Sequence, residues 1–277
     1  MKNKTLYVSD LDGTLFNSKK CVSEYTIQIL NQCIGKGMRF TVATARMAYG
    51  CDYRLSEIRL NTPGILTNGV FLYDFSKKEI VSTECIRRDS AKKAVDAFGK
   101  NGLSCFIYVY EGSQISIFYN DKKMEEQTQY YSDRAIESCK NVCLTEDLDV
   151  AFNSGEVVYL TYTGEREMLE KVCKELDQIE HLNYSFYLNI YNGLYCLEVF
   201  SNTANKKNAL LKLKKMMECD QLVVFGDNLN DLPMIEIADY SLAPANALDA
   251  VKEKVNYVLD DCDHDGVAKY LAKVWLI

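Results

Sequence analysis

Tyr7-Val8-Ser9-Asp10-Leu11-Asp12-Gly13-Thr14 places two carboxylates, two residues apart, between a short apolar run and a glycine. The run that begins at Thr5 is typical of a buried β-strand, and Asp10 follows where such a strand would end. Gly13 permits a sharp turn of the backbone. In open α/β sheets the ligand site lies beyond the carboxyl ends of the strands, so this strand would carry both acids into the site. The alternative is a purely structural turn, because Asp and Gly both favour turns.

The segments that follow predict a parallel sheet. Ser23 suits the N-cap of a helix over residues 24–34, and two glycines follow that helix. The next strand is predicted at 38–43 and a third at 64–67. A strand, a helix and a second strand in this order predict a parallel pair with a right-handed crossover.

The middle of the chain has a different pattern. From about Thr83 to Glu198, helical segments alternate with pairs of short β-rich runs. The runs at 105–110 and 115–119 predict one hairpin, and a second is predicted to turn at residues 191–193. Tightly joined strands are antiparallel, so this region is predicted to be an α+β module.

The parallel pattern returns after the middle module. A helix is predicted over residues 206–217, followed by an apolar strand over 221–225. The sequence therefore predicts an α/β fold, with a doubly wound, Rossmann-like parallel-sheet core and an inserted α+β domain. We expect the core to comprise residues 1–83 and 199–277, and the inserted domain residues 84–198.

Composition and charge narrow the classes of function. Of the 277 residues, 48% are hydrophobic and 26% are charged, as in ordinary globular proteins, and the formal net charge is −7. This charge does not favour a nucleic-acid or anionic-membrane partner. No apolar stretch is long enough for a signal peptide or a membrane span, so a cytoplasmic location is expected. The 11 cysteines are expected to be reduced thiols, and only two histidines are present, which disfavours a structural zinc site.

A second acidic cluster, Gly226-Asp227-Asn228-Leu229-Asn230-Asp231, follows the apolar strand at 221–225. Asp227 lies at the predicted strand end, and Asp231 lies at the start of the next helix, where the helix dipole favours a carboxylate. Carboxylates grouped in this way commonly hold a hard cation such as Mg²⁺. The alternative is a helix-capping turn with solvated acids.

Two further polar residues follow predicted elements. Thr44 comes directly after the strand at 38–43, and its hydroxyl is suited to bind an oxyanion together with nearby backbone N–H groups. A threonine in this position is also a common helix N-cap. Lys206 begins a predicted helix after the middle module, where a single lysine is most often a solvated surface charge.

In chain order, these residues match the four motifs of the haloacid dehalogenase superfamily of phosphatases. The chain resembles the Cof-type, large-cap branch of that superfamily most closely. The resemblance extends over the whole chain and includes the segments Ala43-Thr44-Ala45-Arg46, Asn68-Gly69, Lys206-Lys207-Asn208-Ala209-Leu210, Gly226 to Asp231, Ala245-Asn246-Ala247 and Asp265-Gly266-Val267. Two residues depart from the family pattern: Ala45 stands where glycine is common, and Lys207 stands where glycine usually follows the catalytic lysine.

The resemblance implies phosphoryl transfer through an aspartyl-phosphate, with Mg²⁺ as cofactor. Asp10 would attack phosphorus, and Asp12 would protonate the leaving oxygen and then deprotonate the hydrolytic water. The metal residues would be Asp10, Asp12 through its backbone carbonyl, and Asp227, with Asp231 supporting them. The retained Asp12 favours a hydrolase or mutase of phosphate esters, because the dehalogenases of the superfamily lack this second acid.

The resemblance also assigns the groups that bind phosphate and substrate. Thr44, Lys206 and Asn230 would bind the oxygens of the transferring phosphoryl group. The inserted domain resembles the large cap of this branch, which favours a small phosphorylated metabolite over a phosphoprotein. Most tyrosines of this domain are expected to be structural, because tyrosine is common in strands. They are Tyr108, Tyr110, Tyr119, Tyr130, Tyr131, Tyr159, Tyr162, Tyr184, Tyr187, Tyr191 and Tyr195.

A segment near the C-terminus has the spacing of an EF-hand calcium loop. Asp261-Cys262-Asp263-His264-Asp265-Gly266 matches the first half of such a loop, but the twelfth position, which requires a bidentate glutamate, is Ala272. The preceding segment is predicted to be a strand and not a helix. We therefore predict no calcium site, and expect a loop on the catalytic face of the core.

The predicted function is a Mg²⁺-dependent phosphatase of a small metabolite, such as a sugar phosphate, pyridoxal phosphate or flavin mononucleotide. One alternative is a phosphomutase that uses the same aspartyl-phosphate, which would require the cap to bind a second phosphate, and no basic cluster there indicates this. The other alternative is a non-catalytic binding or regulatory protein on this scaffold, against which the intact acid set argues. The sequence predicts neither the substrate nor the oligomeric state.

Overall fold

The structure is a computed structural model that describes residues 4–112, 114–124, 141–189 and 193–276. The chain forms two compact units: a core unit of residues 1–82 and 205–277, and an inserted unit of residues 83–204. The inserted unit extends beyond residue 198 because the last strand of its sheet runs to Ser201. The predicted positions of Tyr130, Tyr131 and Tyr191, and most of the second predicted hairpin turn, lie outside the described residues.

The described strands are, in chain order, β1 (Thr5–Ser9), β2 (Arg39–Val42), β3 (Gly64–Leu66), β4 (Phe71–Asp74), β5 (Glu79–Thr83), β6 (Phe106–Tyr110), β7 (Ile115–Tyr119), β8 (Asn141–Leu144), β9 (Glu156–Gly164), β10 (Leu182–Leu188), β11 (Tyr195–Ser201), β12 (Gln221–Phe225), β13 (Tyr240–Pro244) and β14 (Tyr257–Leu259). The described α-helices are α1 (Glu24–Gly35), α2 (Asp52–Leu55), α3 (Arg88–Lys100), α4 (Asp149–Ser154), α5 (Arg166–Leu176), α6 (Lys206–Met216), α7 (Leu232–Ile235), α8 (Asp249–Lys252) and α9 (Gly266–Trp275). Within the described ranges, no helix has both the length and the apolar character that crossing a bilayer requires.

The core unit is built on a parallel sheet of five strands in the order β14-β13-β12-β1-β2. β1 lies between β12 and β2, so the first strand of the chain is central. Leu6 and Val8 pack in one apolar core with residues of α6, such as Leu210. Tyr7 points to the opposite face, where its ring lies edge-on to Trp275 of α9 at 6.0 Å. Helices therefore cover both faces of the sheet, which confirms the predicted doubly wound core.

A second, three-stranded sheet in the order β3-β4-β5 belongs to the same part of the chain and was not predicted. β3 pairs antiparallel with β4 and also continues the parallel core through a bridge between Ile65 and Ala43. The turn Thr67–Gly69 joins β3 to β4, and all three of its residues have positive φ. β5 is half-exposed along its length, so it lacks the apolar alternation that identifies a strand from sequence.

The inserted unit contains a six-stranded sheet in the order β10-β11-β9-β6-β7-β8. Its neighbouring strands are antiparallel except β7 and β8. The helices α3, α4 and α5 contribute buried residues to one apolar core with this sheet, including Phe98, Phe152 and Leu169. The arrangement confirms the predicted α+β character. Tyr108 and Tyr159 are buried, and their rings pack edge to face at 5.4 Å.

Candidate active site

The carboxyl ends of two adjacent parallel strands bring the two acidic clusters together. Ser9 of β1 is in register with Phe225 of β12, and the Asp10 N–H donates to the Phe225 carbonyl at 2.9 Å. Asp10 follows β1 directly, and Asp227 follows β12 after Gly226. Both acids therefore lie side by side at the carboxyl-terminal end of the core strands, as their predicted strand-end positions imply.

Lys206 is a buried cation between two of these acids. Its Nζ lies 2.5 Å from Asp10 Oδ1 and 2.6 Å from Asp231 Oδ1, and its side chain is only 1% exposed. The Asn205 side chain caps α6 by accepting from the Asn208 N–H, which makes Lys206 the first residue of the helix. The position is therefore not the solvated surface charge that is usual for a lysine at a helix start.

The charges of this cluster are strongly coupled. Burial by itself would lower the pKa of Lys206, but the carboxylates of Asp10 and Asp231 outweigh it and raise that pKa, so the ammonium stays charged. Burial raises the pKa of Asp10; Lys206 opposes this effect, and the negative charges of Asp231 and Asp227 add to it. The site thus concentrates negative charge in a desolvated environment.

Asp231 is fully buried and organises the loop after β12. Its Oδ2 accepts from the backbone N–H groups of Asp227 at 3.0 Å and Asn228 at 3.1 Å, while its Oδ1 contacts Lys206. Gly226 is required in this loop, because a Cβ there would lie 2.6 Å from the Asp231 Cβ. One side chain therefore fixes both the course of the loop and the position of the ammonium.

Asp227 is held from the other side by the turn that follows β1. The Thr14 hydroxyl donates to Asp227 Oδ1 at 2.9 Å. Gly13 has a φ of +86°, and a Cβ there would lie 2.5 Å from Asp227 Oδ2. Burial, together with the charge of Asp231, raises the pKa of Asp227 to about 6, although the Thr14 hydrogen bond lowers it.

Three carboxylates in this cluster can provide oxygen ligands to one cation. One ligand atom from each of Asp10, Asp227 and Asp231 lies within 4.8 Å of the others, in the part of the chain that the structure describes. Within the described ranges, Lys206 is the one ammonium in contact with this cluster, at Asp10 and Asp231, so the three acids carry an excess of negative charge when all are ionised. A buried excess of this kind is costly unless it is compensated. Oxygen donors with uncompensated negative charge suit a hard divalent cation such as Mg²⁺.

Asp12 lies in a different environment, between two cations. Arg46 Nε donates to Asp12 Oδ2 at 2.6 Å and Arg46 Nη2 donates to Oδ1 at 2.8 Å, which is a bidentate pair. Lys20 Nζ lies 3.1 Å from the same Oδ1. Partial burial acts to raise the pKa of Asp12, but the hydrogen bonds and charges of Arg46 and Lys20 outweigh it and lower that pKa. The carboxylate form of Asp12 is therefore favoured.

Thr44 and Asn230 lie in loops that are tied to each other through Asn68. The Thr44 side chain is buried, and its hydroxyl accepts from the Arg46 N–H at 3.1 Å while retaining its own proton to donate. The Asn68 N–H donates to the Thr44 carbonyl at 3.0 Å, and the Asn230 side-chain amide donates to Asn68 Oδ1 at 3.2 Å. The structure thus connects Thr44 and Asn230, two of the three predicted phosphate-binding residues, by hydrogen bonds to one intervening residue, Asn68.

Three polar residues of this site were not assigned a role from the sequence. Arg46 and Asn68 were noticed only as parts of matching segments, and both follow core strands, which is the signal that could have identified them. Lys20 lies in a loop and carries no such signal. Lys207 is half-buried one position after Lys206, and the Asp10 contact belongs to Lys206.

Comparisons with known proteins show the family to which the chain belongs. A family model of haloacid dehalogenase-like hydrolases matches residues 7–271. The chain is 24% identical over 280 residues to the 5-amino-6-(5-phospho-D-ribitylamino)uracil phosphatase YwtE of Bacillus subtilis (strain 168), with 95% of each chain covered. It is also 24% identical over 277 residues to the pyridoxal phosphate phosphatase YbhA of Escherichia coli (strain K12), again with 95% of each chain covered.

A solved structure shows a similar fold. The crystal structure of a haloacid dehalogenase-like hydrolase from Bacteroides thetaiotaomicron matches with a TM-score of 0.76 at 24% sequence identity. The match covers 98% of this chain and 99% of that chain. Both the core unit and the inserted unit therefore have counterparts in a single known fold.

Proposed function

The chain belongs to the haloacid dehalogenase-like hydrolases, and on this premise we propose that it is a Mg²⁺-dependent phosphatase of a small phosphorylated metabolite. The observation that carries the proposal is the buried cluster in which Lys206 contacts both Asp10 and Asp231 while Asp227 lies beside them. Structural ion pairs are seldom this desolvated, and strongly perturbed acids in such a cluster are typical of catalytic sites.

The cluster suits the attack of a carboxylate on a phosphate ester. A phosphate monoester is anionic and repels Asp10, so the repulsion must be neutralised before the two can approach. Lys206 supplies one fixed positive charge at Asp10. Mg²⁺ bound by Asp10, Asp227 and the backbone carbonyl of Asp12, with Asp231 supporting them, would supply Lewis-acid charge stabilisation and orient the phosphoryl group.

In the proposed reaction an oxygen of Asp10 forms a bond to phosphorus as the bond from phosphorus to the ester oxygen breaks. Asp12 gives its proton to that ester oxygen and the alcohol leaves. Asp12, now a carboxylate, accepts a proton from a water molecule whose oxygen attacks phosphorus, and the bond to Asp10 breaks to release inorganic phosphate. The lowered pKa of Asp12, due to Arg46 and Lys20 against the effect of burial, favours the second of these two roles.

Thr44, Lys206 and Asn230 are proposed to bind the oxygens of the transferring group. The Thr44 hydroxyl has a proton to donate, and the Asn230 amide has two. Donors fixed by their surroundings stabilise developing charge without reorganisation. The Asn68 side chain would orient the Asn230 amide toward this task, because it already accepts from that amide.

The substrate is proposed to be a sugar phosphate or a phosphorylated cofactor such as pyridoxal phosphate or flavin mononucleotide. Two relatives named above are phosphatases of a phosphorylated ribitylamino-uracil and of pyridoxal phosphate, which supports a small substrate. We propose that the inserted unit, as a cap, selects the part of the substrate that is not phosphate. We also propose a cytoplasmic location without nucleic-acid or membrane partners. The net charge of −7 supports this, because it does not favour anionic partners.

The test is phosphate release from a panel of phosphorylated metabolites, with Mg²⁺ and with a chelator. The wild type, Asp10→Asn and the control Asp249→Asn, which changes an exposed acid of α8, are compared. We expect release by the wild type and the control with Mg²⁺, and none above background by Asp10→Asn. A wild type that releases no phosphate from any member, or an Asp10→Asn variant as active as wild type, would overturn the proposal.

A further inference from the structure

Among the described residues Asp12 has two cationic partners, Arg46 and Lys20, and of these two Arg46 holds both of its oxygens. We infer that Lys20 is a further positioning residue for the Asp12 carboxylate, and that the acidic segment Asp261–Gly266 holds the Lys20 loop in place for that contact. The inference rests on the proposed function, in which Asp12 moves protons. It also gives a role to an acidic segment for which the sequence predicted no metal.

The loop that carries Lys20 has a shape that several hydrogen bonds determine. The Lys20 N–H donates to the Asn17 carbonyl at 2.9 Å, and the Asn17 N–H donates to the Cys21 carbonyl at 3.0 Å. Lys20 itself has a φ of +60°, in the left-handed region that residues other than glycine seldom adopt. The Arg54 guanidinium donates to the Lys20 carbonyl. A strained backbone persists only where its surroundings determine it, and such positions are enriched at functional sites.

The C-terminal acidic segment anchors both ends of this loop. Asp263 Oδ1 accepts from the Ser18 N–H at 2.8 Å, before Lys20 in the chain. After Lys20, Asp265 Oδ1 accepts from the Ser23 hydroxyl at 2.5 Å and from the Thr26 hydroxyl at 2.8 Å. The acids that resemble half of a calcium loop are thus used as hydrogen-bond acceptors for the Lys20 loop and for the start of α1.

The two cations hold Asp12 in different ways. The guanidinium of Arg46 is planar and binds both carboxylate oxygens, which fixes the plane of the carboxylate. Lys20 adds a point charge at Oδ1 from a side chain that is 43% exposed, and this contact leaves the bidentate pair with Arg46 intact. Lys20 therefore holds Oδ1, which Arg46 Nη2 also contacts, in line for proton transfer to the ester oxygen in the enzyme–substrate complex, so its loss should change kcat more than KM.

The test compares two phosphate esters whose cleavage depends to different degrees on protonation of the leaving-group oxygen. An aryl ester, p-nitrophenyl phosphate, has a leaving group that departs as an anion, whereas an alkyl ester such as glycerol phosphate requires protonation. We expect Lys20→Met to lower kcat for the alkyl ester by about tenfold and for the aryl ester by less than about twofold, because proton transfer contributes about 10²–10⁴-fold in all. KM should change little. Lys20→Arg should restore the alkyl rate, and Lys19→Met, which changes the neighbouring lysine, should leave both rates as in wild type.

Asp265→Asn tests the role of the acidic segment. We expect it to change the ratio of alkyl to aryl rates in the same direction as Lys20→Met, and the double variant to show no further change, with thermal unfolding followed to confirm that each variant is folded. Equal loss on both esters, or no loss, in Lys20→Met would overturn the role of Lys20. If Lys20→Met changes the ratio of alkyl to aryl rates and Asp265→Asn does not, the role of the acidic segment is overturned. If instead the wild type hydrolyses neither ester nor any metabolite of the panel, or Asp10→Asn is fully active, the proposed function itself has failed.

Discussion

Replacing Lys206 with methionine removes an ammonium that lies between two buried carboxylates. Met is close to Lys in length and leaves no large cavity, so the change is mainly one of charge. Lys206 is 1% exposed, and its partner side chains, Asp10 and Asp231, are 9% and 0% exposed. Breaking a buried ion pair by removing one partner typically costs about 3–5 kcal/mol, because the other charge is left buried and unpaired. We expect Lys206→Met to lower the free energy of unfolding of the core unit by this amount at pH 7.

Urea unfolding followed by tryptophan fluorescence measures this loss. The chain has one tryptophan, Trp275, which packs against Tyr7 in the core unit, so its emission reports that unit. The loss should be smaller at pH 5 than at pH 8, because burial raises the pKa of Asp10, and protonation of this carboxylate removes its charge. Mg²⁺ should recover part of the loss, since a divalent cation compensates the same acids.

Lys207→Met is the matched control, one position further along α6. Lys207 is half-buried and forms no salt bridge with any residue that the structure describes. We expect a change within about 0.5 kcal/mol and full phosphatase activity, as for an ordinary surface substitution. A Lys206→Met variant within about 1 kcal/mol of wild type at pH 7, or one no less stable than Lys207→Met, would refute the reasoning.

Two further predictions concern the β12 loop and the inserted unit. Gly226→Ala places a Cβ 2.6 Å from that of Asp231, so urea unfolding should show a loss of about 1–3 kcal/mol, whereas Gly35→Ala, which meets nothing within 4 Å, should not. Burial raises the pKa of Glu198 above its ordinary value of 4.5, although two tyrosine hydroxyls donate to it. The native state therefore binds this proton more tightly than the unfolded chain, and stability is lost as pH rises above about 4.5. Glu198→Gln should raise the thermal midpoint at pH 7 and not at pH 4; an equal shift at both pH values would contradict this.

The parts of the fold that could be predicted from sequence are those where one local pattern determines the element. The apolar run before Asp10 and the one before Asp227 each predict a buried strand followed by an acid, and the structure contains both. The short strands β4 and β5 form a sheet whose order depends on pairing partners, and β5 is half-exposed, so no periodicity marks it. Weak burial thus explains why β5 was not predicted, but β4 is buried over three of its four residues and was missed although its sequence is apolar.

The candidate site shows the same division. The acids at strand ends are predictable because the topology of a parallel sheet brings those ends together. Lys206 was assigned only through the family resemblance, because the local pattern does not show which of Lys206 and Lys207 points inward once α6 packs on the core. Lys20 could not be predicted at all, because its contact with Asp12 requires a left-handed backbone and acceptors from the far end of the chain.

The central position of β1 affects folding during translation, because one of its two neighbouring strands is made much later. Thr5 and Gln221, which are paired neighbours in the sheet, are 216 positions apart in the chain. At a translation rate of roughly 5–20 residues per second, the first strand would wait about 10–40 seconds for its partner to be made. During that interval β2 can cover one edge of β1, and the other edge remains an open template that carries Leu6 and Val8. A nascent chain of this protein is therefore expected to depend on chaperones until residue 225 has emerged, and any truncation before that point should be aggregation-prone.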